Sequence, residues 1–358
     1  MDSSKRPDDR GRAARRIGGH STVSTSPLNL LSAAYGTGAR LRRTWYARHP
    51  ERVRHLDRPV ISVGNLTVGG SGKTPVVAAL ARLLRDTGER PVILSRGYAR
   101  KNRTPPILVV SDTASVLEPV ERSGDEPQML ARDLAGVPVV VGADRHAAGA
   151  LAQSRFDPTV FLLDDGFQHV QLRREIDLLV MSAADLDERV LPSGRLREPL
   201  HTAAAADAVL VYGDESESKG VALAIGVDAA FTVTRQYEPL RAVTDGSVVG
   251  APPRTVLAVA GIANPERFFD AVRALGFNLA NTIPFADHHW FNDADMSRIA
   301  DHAQRCGADM VVTTEKDAMR MPAHPHEIPL AYLPMRATIA PSFAAWLSMR
   351  LRAGAQGR

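Results

Sequence analysis

Residues 64–75, GNLTVGGSGKTP, carry the densest cluster of chemically committed residues in the chain. Gly69, Gly70, Gly72, Lys73 and Thr74 stand between an apolar run and a stretch with helical spacing, the setting a phosphate-binding loop requires. Glycines let the backbone curl until successive N–H groups aim at phosphate oxygens, and the next helix adds the positive end of its dipole. Thr67, Val68, Gly69, Gly70, Ser71 and Gly72 would form that cradle. Lys73 would reach the β- and γ-phosphates of a nucleotide such as ATP, and Thr74 would ligate Mg²⁺. Pro75 is tolerated because the first helical turn has no internal N–H bond to lose. The strict motif has glycine where this chain has Thr67.

A second cluster follows an apolar run in VFLLDDGFQH. Asp164 and Asp165 there occupy the place of a Mg²⁺-organising acid beside the phosphate loop, and Gln168 and His169 follow within reach of nucleotide or substrate. Two adjacent carboxylates at a strand end repel unless a cation is near, although Asp-Asp-Gly is also a good plain turn. Asp125 in SGDEPQML reads either as a base or as an acid placed against a helix N-terminus. Ser193, Arg195 and Arg197 in PSGRLREP suit phosphate or a surface loop. Asp287, His288 and His289 lack a regularly spaced third ligand, so they make a poor metal site.

The elements that must hold these groups are short Val/Ile/Leu strands alternating with helices: 59–65, 91–97, 138–142, 159–166, 176–182 and 206–213. Continuous apolar strands of this kind predict an α/β fold, a parallel sheet covered by helices on both faces. The kinase-like domain is expected over 49–228 and linking strands over 229–245. A smaller α/β domain follows over 246–328, its helix beginning at Asn264, and a strand and helix over 329–358 should pack back on the first domain. Residues 1–25 read as a disordered basic extension and 26–48 as an amphipathic helix. At 100° per residue Leu28, Leu30, Leu31, Ala34, Tyr35, Leu41, Trp45 and Tyr46 share about half its circumference, with Arg40 and Arg43 opposite. Such a helix suits either an acidic membrane surface or packing on its own domain.

With 44% hydrophobic residues the chain can bury a full core. Residues 1–54 hold twelve Lys/Arg against four Asp/Glu, so the positive charge belongs to the N-terminal segment and the body is net acidic. That argues against a nucleic-acid binder and for anionic lipid headgroups near the N-terminus. The lone Cys306 excludes an internal disulfide and fits a reducing compartment. A nucleotide switch of the GTPase kind would need an Asn-Lys-x-Asp guanine reader, which TEKD at 314–317 is not.

Taken together and in order, VGNLTVGGSGKTP, SRGY, GDEP, GADR, LDDGFQH, PSGRLRE, DHH and TTEKDA resemble the tetraacyldisaccharide 4'-kinase family of Gram-negative bacteria, over roughly residues 26–320. Thr67 matches that family. The resemblance implies a two-domain kinase with a membrane-associating N-terminal helix, peripheral on the cytoplasmic face of the inner membrane, with no obligate protein partner. It would transfer the γ-phosphate of ATP to the 4'-hydroxyl of a tetraacyldisaccharide 1-phosphate glycolipid, giving lipid IV-A. It also implies Asp125 as general base in a dyad with His288 across the domain cleft. Asp164, Asp165 and Thr74 would handle Mg²⁺, and Tyr98, Arg145, Ser193 and Arg197 would shape the site, with Asn65 a weaker candidate. A P-loop kinase acting on a soluble hydroxyl is the alternative that residue chemistry leaves open.

Overall fold

The computed structural model describes residues 27–98, 100–251, 253–322 and 328–356; the extension expected over 1–25 lies outside them. Its strands, in chain order, are β1 (Val60–Gly64), β2 (Pro91–Ser95), β3 (Ile107–Ser111), β4 (Val139–Gly142), β5 (Val160–Asp164), β6 (Ile176–Met181) and β7 (Ala208–Tyr212). Then come β8 (Ala230–Tyr237), β9 (Arg241–Ala242), β10 (Thr255–Ala260), β11 (Asn278–Pro284), β12 (Met310–Thr314), β13 (Leu330–Leu333) and β14 (Met335–Ile339). The helices are α1 (Pro27–Arg48), α2 (Lys73–Asp86), α3 (Val120–Ser123), α4 (Asp125–Asp133) and α5 (Arg145–Phe156). They continue with α6 (Glu215–Ile225), α7 (Pro265–Ala274), α8 (Asp293–Cys306), α9 (Glu315–Ala318) and α10 (Ser342–Gln356).

Nine strands form one sheet in the order β14-β8-β7-β6-β1-β5-β2-β4-β3, parallel except at its two edges, where β14 and β3 run antiparallel to their neighbours. Every residue of β1, β5, β6 and β7 is buried, because helices cover both faces and no side of the pleat meets water. The parallel register sets Val63 of β1 against Asp164 of β5. The phosphate loop and the acid pair therefore leave the same sheet edge side by side, where ligands gather in open α/β sheets. Helix α2 is fixed beneath the loop by Val76, Val77, Leu80 and Leu84, all buried against Ile61, Leu162 and Phe343. Each such side chain contributes about 1.5–3 kcal/mol.

A five-stranded sheet, β11-β10-β12-β13-β9, makes the second layer system, with Phe268, Phe269 and Val272 on one face and Met296, Ile299 and Ala303 on the other. Asn264 caps α7 by accepting from the Arg267 amide, as its position before Pro265 suggests. The chain crosses between the sheets twice, from β8 to β9 and from β13 through Pro334 to β14. The two crossings are tied by a hydrogen bond from the Glu238 amide to the Pro334 carbonyl at 3.1 Å. Helix α10 then lays Phe343 and Leu347 into the core of the larger sheet.

Helix α1 docks on the body, but not by its apolar face. Gly36 is its buried residue, close to Pro199 and Val190. Ser32 donates to the Ser193 hydroxyl at 2.8 Å, and Arg43 reaches Glu198 at 3.1 Å and the Phe167 carbonyl at 3.0 Å while lying 4.3 Å over the Phe167 ring. The side expected to meet lipid headgroups through Arg43 is thus committed to the protein, because the buried Glu198 carboxylate needs a cation. Leu28, Leu30, Leu31, Tyr35, Leu41 and Trp45 all remain exposed on the opposite side.

Candidate active site

A cavity of about 800 Å³ opens between the two sheets. One wall is the loop from Val68 to Thr74; Gly69 and Gly72 take φ of +95° and +83°, which glycine adopts without a side-chain clash. A Cβ at Gly72 would sit 2.6 Å from the Tyr212 ring, whose hydroxyl donates to the Gly72 carbonyl at 3.0 Å. Lys73 donates to Asn65 Oδ1 at 2.9 Å and pairs with Asp165 at 3.4 Å. Thr67 is buried beneath the loop, where its carbonyl and hydroxyl accept from Asn65 Nδ2. Threonine in place of the motif glycine thus braces the cradle from below.

The structure divides the acid pair. Asp165 spends its oxygens on Lys73 and Arg197, the latter at 2.8 Å. Burial would raise its carboxyl, but these two cations hold it below the usual range. Asp164 Oδ2 accepts from the Ser95 hydroxyl at 3.1 Å, and its buried Oδ1 has no hydrogen-bond partner among the described residues. Burial, followed by the charges of Glu126 and Asp165, pushes the Asp164 carboxyl up to about 7. A buried acid with a free oxygen beside a phosphate cradle has the donor chemistry of a Mg²⁺ ligand, and Thr74 lines the same wall.

On the opposite wall His288 Nδ1 lies 2.9 Å from Asp125 Oδ2, joining the small sheet's loop to the first residue of α4. Asp125 opens α4, the place of an acid set against a helix N-terminus, and it also faces a histidine. It is 2% exposed and sits behind His288, which lines the cavity. Burial would raise the Asp125 carboxyl, yet the His288 hydrogen bond and the charges of Lys316, His288 and Arg320 hold it below the usual range. His288 takes φ of +60°, a conformation costing of order 1 kcal/mol for a non-glycine residue, and its amide donates to the Gly261 carbonyl at 3.2 Å. The ring of Tyr98, exposed and on the cavity wall, lies 5.2 Å from the His288 ring.

Four expected residues stand elsewhere. Gln168 is outside the cavity lining and braces the Asn65 carbonyl at 2.9 Å and the Arg197 guanidinium. His169 is also outside it; burial and the nearby Arg145, Arg174, Arg42 and Arg54 bring its imidazole down to about 4, so it is neutral. Arg145 is buried behind the acid pair and donates to the carbonyls of Gly142 and Ala143. Its guanidinium is drawn down to about 10 by burial, with Asp164 and Asp165 acting against that. Ser193 belongs to the α1 docking contact.

Sequence reasoning missed several cations of the cavity wall. Arg267, on α7 of the second sheet, donates to the Gly70 carbonyl at 3.3 Å, and Arg235, on β8 of the larger sheet, lies 3.9 Å over the Tyr212 ring; both line the cavity. Lys316 and Arg320 approach Asp125 within 3.7 Å each. The signal for the last two was a charged cluster straight after the buried strand β12, the same arrangement that marks Asp164 after β5. Among the described residues no group of three or more His, Cys, Asp or Glu side chains could hold a metal ion unaided.

The profile of the tetraacyldisaccharide-1-P 4'-kinase family matches residues 25–352. The chain is 40% identical over 336 residues to the tetraacyldisaccharide 4'-kinase of Geobacter sulfurreducens, covering 92% of this chain and 90% of that one. It is 36% identical to the enzyme of Neisseria meningitidis serogroup A, covering 90% and 91%. Its fold is similar to the crystal structure of LpxK from Aquifex aeolicus, titled as a complex with ATP, with a TM-score of 0.73 at 31% identity over 90% of this chain and 98% of that one. A phosphate cradle and acid pair on one wall, a carboxylate–histidine pair on the other, and agreement along nearly the whole chain place this protein in the tetraacyldisaccharide 4'-kinase family.

Proposed function

We propose that this chain transfers the γ-phosphate of ATP to the 4'-hydroxyl of tetraacyldisaccharide 1-phosphate at the surface of the inner membrane, on its cytoplasmic face. The observation that carries the reading is the facing of the two walls. The loop that would grip a triphosphate and His288, backed by Asp125, line one cavity, the loop on the larger sheet and His288 on the smaller. The amides of 69–73 and the Lys73 ammonium bind and orient the triphosphate, and Arg197 and Asn65 keep Lys73 and Asp165 in place. Asp164, with Thr74, would hold Mg²⁺, which when bound offsets charge on the phosphate oxygens, while Asp165 stays paired with Lys73 and Arg197.

The sugar hydroxyl must lose a proton as its oxygen attacks. As the groups stand, His288 is the member of the pair that faces the acceptor, and Asp125 behind it steadies the charge that results. The pair thus acts as one base, with Asp125 as the orienting member, where the family resemblance cast Asp125 itself as the acceptor. The pair is joined across the cleft at 2.9 Å.

The exposed apolar side of α1 supports work at a bilayer. Leu30, Leu31 and Leu41 are 65%, 57% and 60% exposed. No helix of the described residues is long and apolar enough to cross a membrane. Such a helix lies in the headgroup boundary with its docked side held by the kinase body. Labelled γ-phosphate from ATP should appear on tetraacyldisaccharide 1-phosphate in mixed micelles, and Lys73→Ala should abolish transfer. Equal labelling of a deacylated soluble disaccharide would favour the soluble-acceptor alternative, and no labelling of either would sink the reading.

A further inference from the structure

Lys316 begins the second position of α9, on the small sheet, and reaches across to the kinase domain. Its Nζ lies 3.3 Å from His288 Nε2, 3.5 Å from Glu126, 3.7 Å from Asp125 and 3.8 Å from Asp287. Its side chain is 18% exposed and lines the cavity. An ammonium carries three donors and no acceptor, so its contact with Nε2 requires the lone pair on that nitrogen. The imidazole proton then resides on Nδ1, where the Asp125 carboxylate accepts it at 2.9 Å. Both contacts demand the same tautomer.

We propose that Lys316 is a positioning residue for phosphoryl transfer: it caps His288 Nε2, fixes the Nδ1–H tautomer against Asp125, and yields Nε2 to the acceptor hydroxyl. The inference rests on the function proposed above. Lys316 can yield without stranding its charge, because Glu126 and Asp287 stand within 4 Å as alternative seats and its stem is flexible. The same three carboxylates keep the ammonium protonated: burial would lower it, and Glu126, Asp125 and Asp287 together raise it above the usual lysine range. His288 is faced by Asp125 of α4, Asp287 of its own loop, Lys316 of α9 and the Tyr98 ring from the loop after β2, while Glu126 touches Lys316 and Arg320 touches Asp125. Capping has a consequence for side reactions. A base whose lone pair is covered until a hydroxyl displaces the cover is screened from water, which limits wasteful ATP hydrolysis.

The test uses the full chain with ¹⁵N-labelled histidine, the His288 signals being assigned with His288→Asn. In the wild-type protein at neutral pH, Nδ1 should carry the proton and Nε2 should be bare but hydrogen-bonded. A proton on Nε2 would overturn the proposal without any Lys316 variant having to fold. Lys316→Met should release the two nitrogens into tautomer exchange. It should also raise the acid limb of kcat/KM by about one pH unit, since a cation beside the base has been removed. It should lower kcat about tenfold with the KM for ATP unchanged. Lys316→Arg should keep the limb in place. Stabilisation by ATP in a thermal shift confirms that each variant is folded and binds nucleotide. A folded Lys316→Met with wild-type tautomer signals and an unmoved limb would refute the assignment. If the wild type fails to phosphorylate the glycolipid, the proposed function falls, while the tautomer measurement still decides the role of Lys316.

Discussion

Asp164→Asn should stabilise the nucleotide-free protein while destroying its activity, and the stabilisation should grow with pH. The Asp164 carboxyl ionises near 3.8 when unfolded and at about 7 in the fold, where it is wholly buried with one free oxygen. The folded state therefore holds this proton more tightly than the unfolded chain. Stability is lost as pH rises above about 3.8 and levels off once it passes about 7. At about 1.36 kcal/mol per unit, the cost is roughly 2 kcal/mol at pH 5 and roughly 4 kcal/mol at pH 8. These are upper figures, since any cation drawn to the site from solution lowers them. Asparagine fills the same volume without the charge, so its advantage over aspartate should widen by about 2–3 kcal/mol between pH 5 and pH 8. In a chain of this length that is about 3–4 °C in Tm. The assay is a thermal melt of both proteins across that range in chelator, repeated with ATP and Mg²⁺. Nucleotide with Mg²⁺ should raise the Tm of the wild type far more than that of the variant. A difference in Tm that does not vary with pH would refute the reasoning, because it would mean Asp164 is already paired in the free protein.

Gly72→Ala forces a Cβ to within 2.6 Å of the Tyr212 ring at φ +83°, so it should cost about 1–3 kcal/mol and abolish stabilisation by ATP in a thermal shift. The joint replacement of Leu30, Leu31 and Leu41 by serine should leave the Tm unchanged, since these side chains are exposed. It should weaken partitioning onto anionic vesicles by at least about a hundredfold; co-sedimentation equal to the wild type would remove α1 from membrane binding. Arg336 pairs with Asp133 at 3.0 Å, Glu238 at 3.3 Å and Glu315 at 2.9 Å, pinning α4, the crossing strand and α9 together. Arg336→Met leaves Glu238 and Glu315 without their cation, Asp133 keeping Arg82, and should destabilise by about 3 kcal/mol, read as a drop in urea midpoint at pH 7, with Arg336→Lys recovering part of it. The burial-raised Glu315 carboxyl takes up a proton more readily than an exposed one, so the deficit of the methionine variant should shrink as pH falls.

The sequence by itself determined the fold class and the nucleotide wall, because both are written in contiguous residues. Apolar runs of β1, β5, β6 and β7 announce a covered parallel sheet, and 64–75 holds the whole cradle between one strand and one helix. The edge strand β3 (ILVVS) breaks the parallel pattern, since it pairs antiparallel with β4. Only the tertiary structure decided what depends on distances between residues far apart in the chain. Thr67 turned from a motif defect into a buried brace through Asn65. Of two adjacent acids, Asp165 was neutralised by Arg197, 32 residues away, which left Asp164 as the uncompensated one. Helix periodicity gave α1 its apolar stripe, yet which side docks was settled by a buried glutamate 155 residues on. By local pattern Asp125 reads as a base or a helix-terminal acid and His288 as a loop histidine, the family resemblance alone pairs them, and Lys316 carries no local signal of a site role beyond the charged stretch it stands in. They became one charged cluster because two chain crossings bring a second sheet over the first, and no local pattern encodes the energy of charges meeting across that gap.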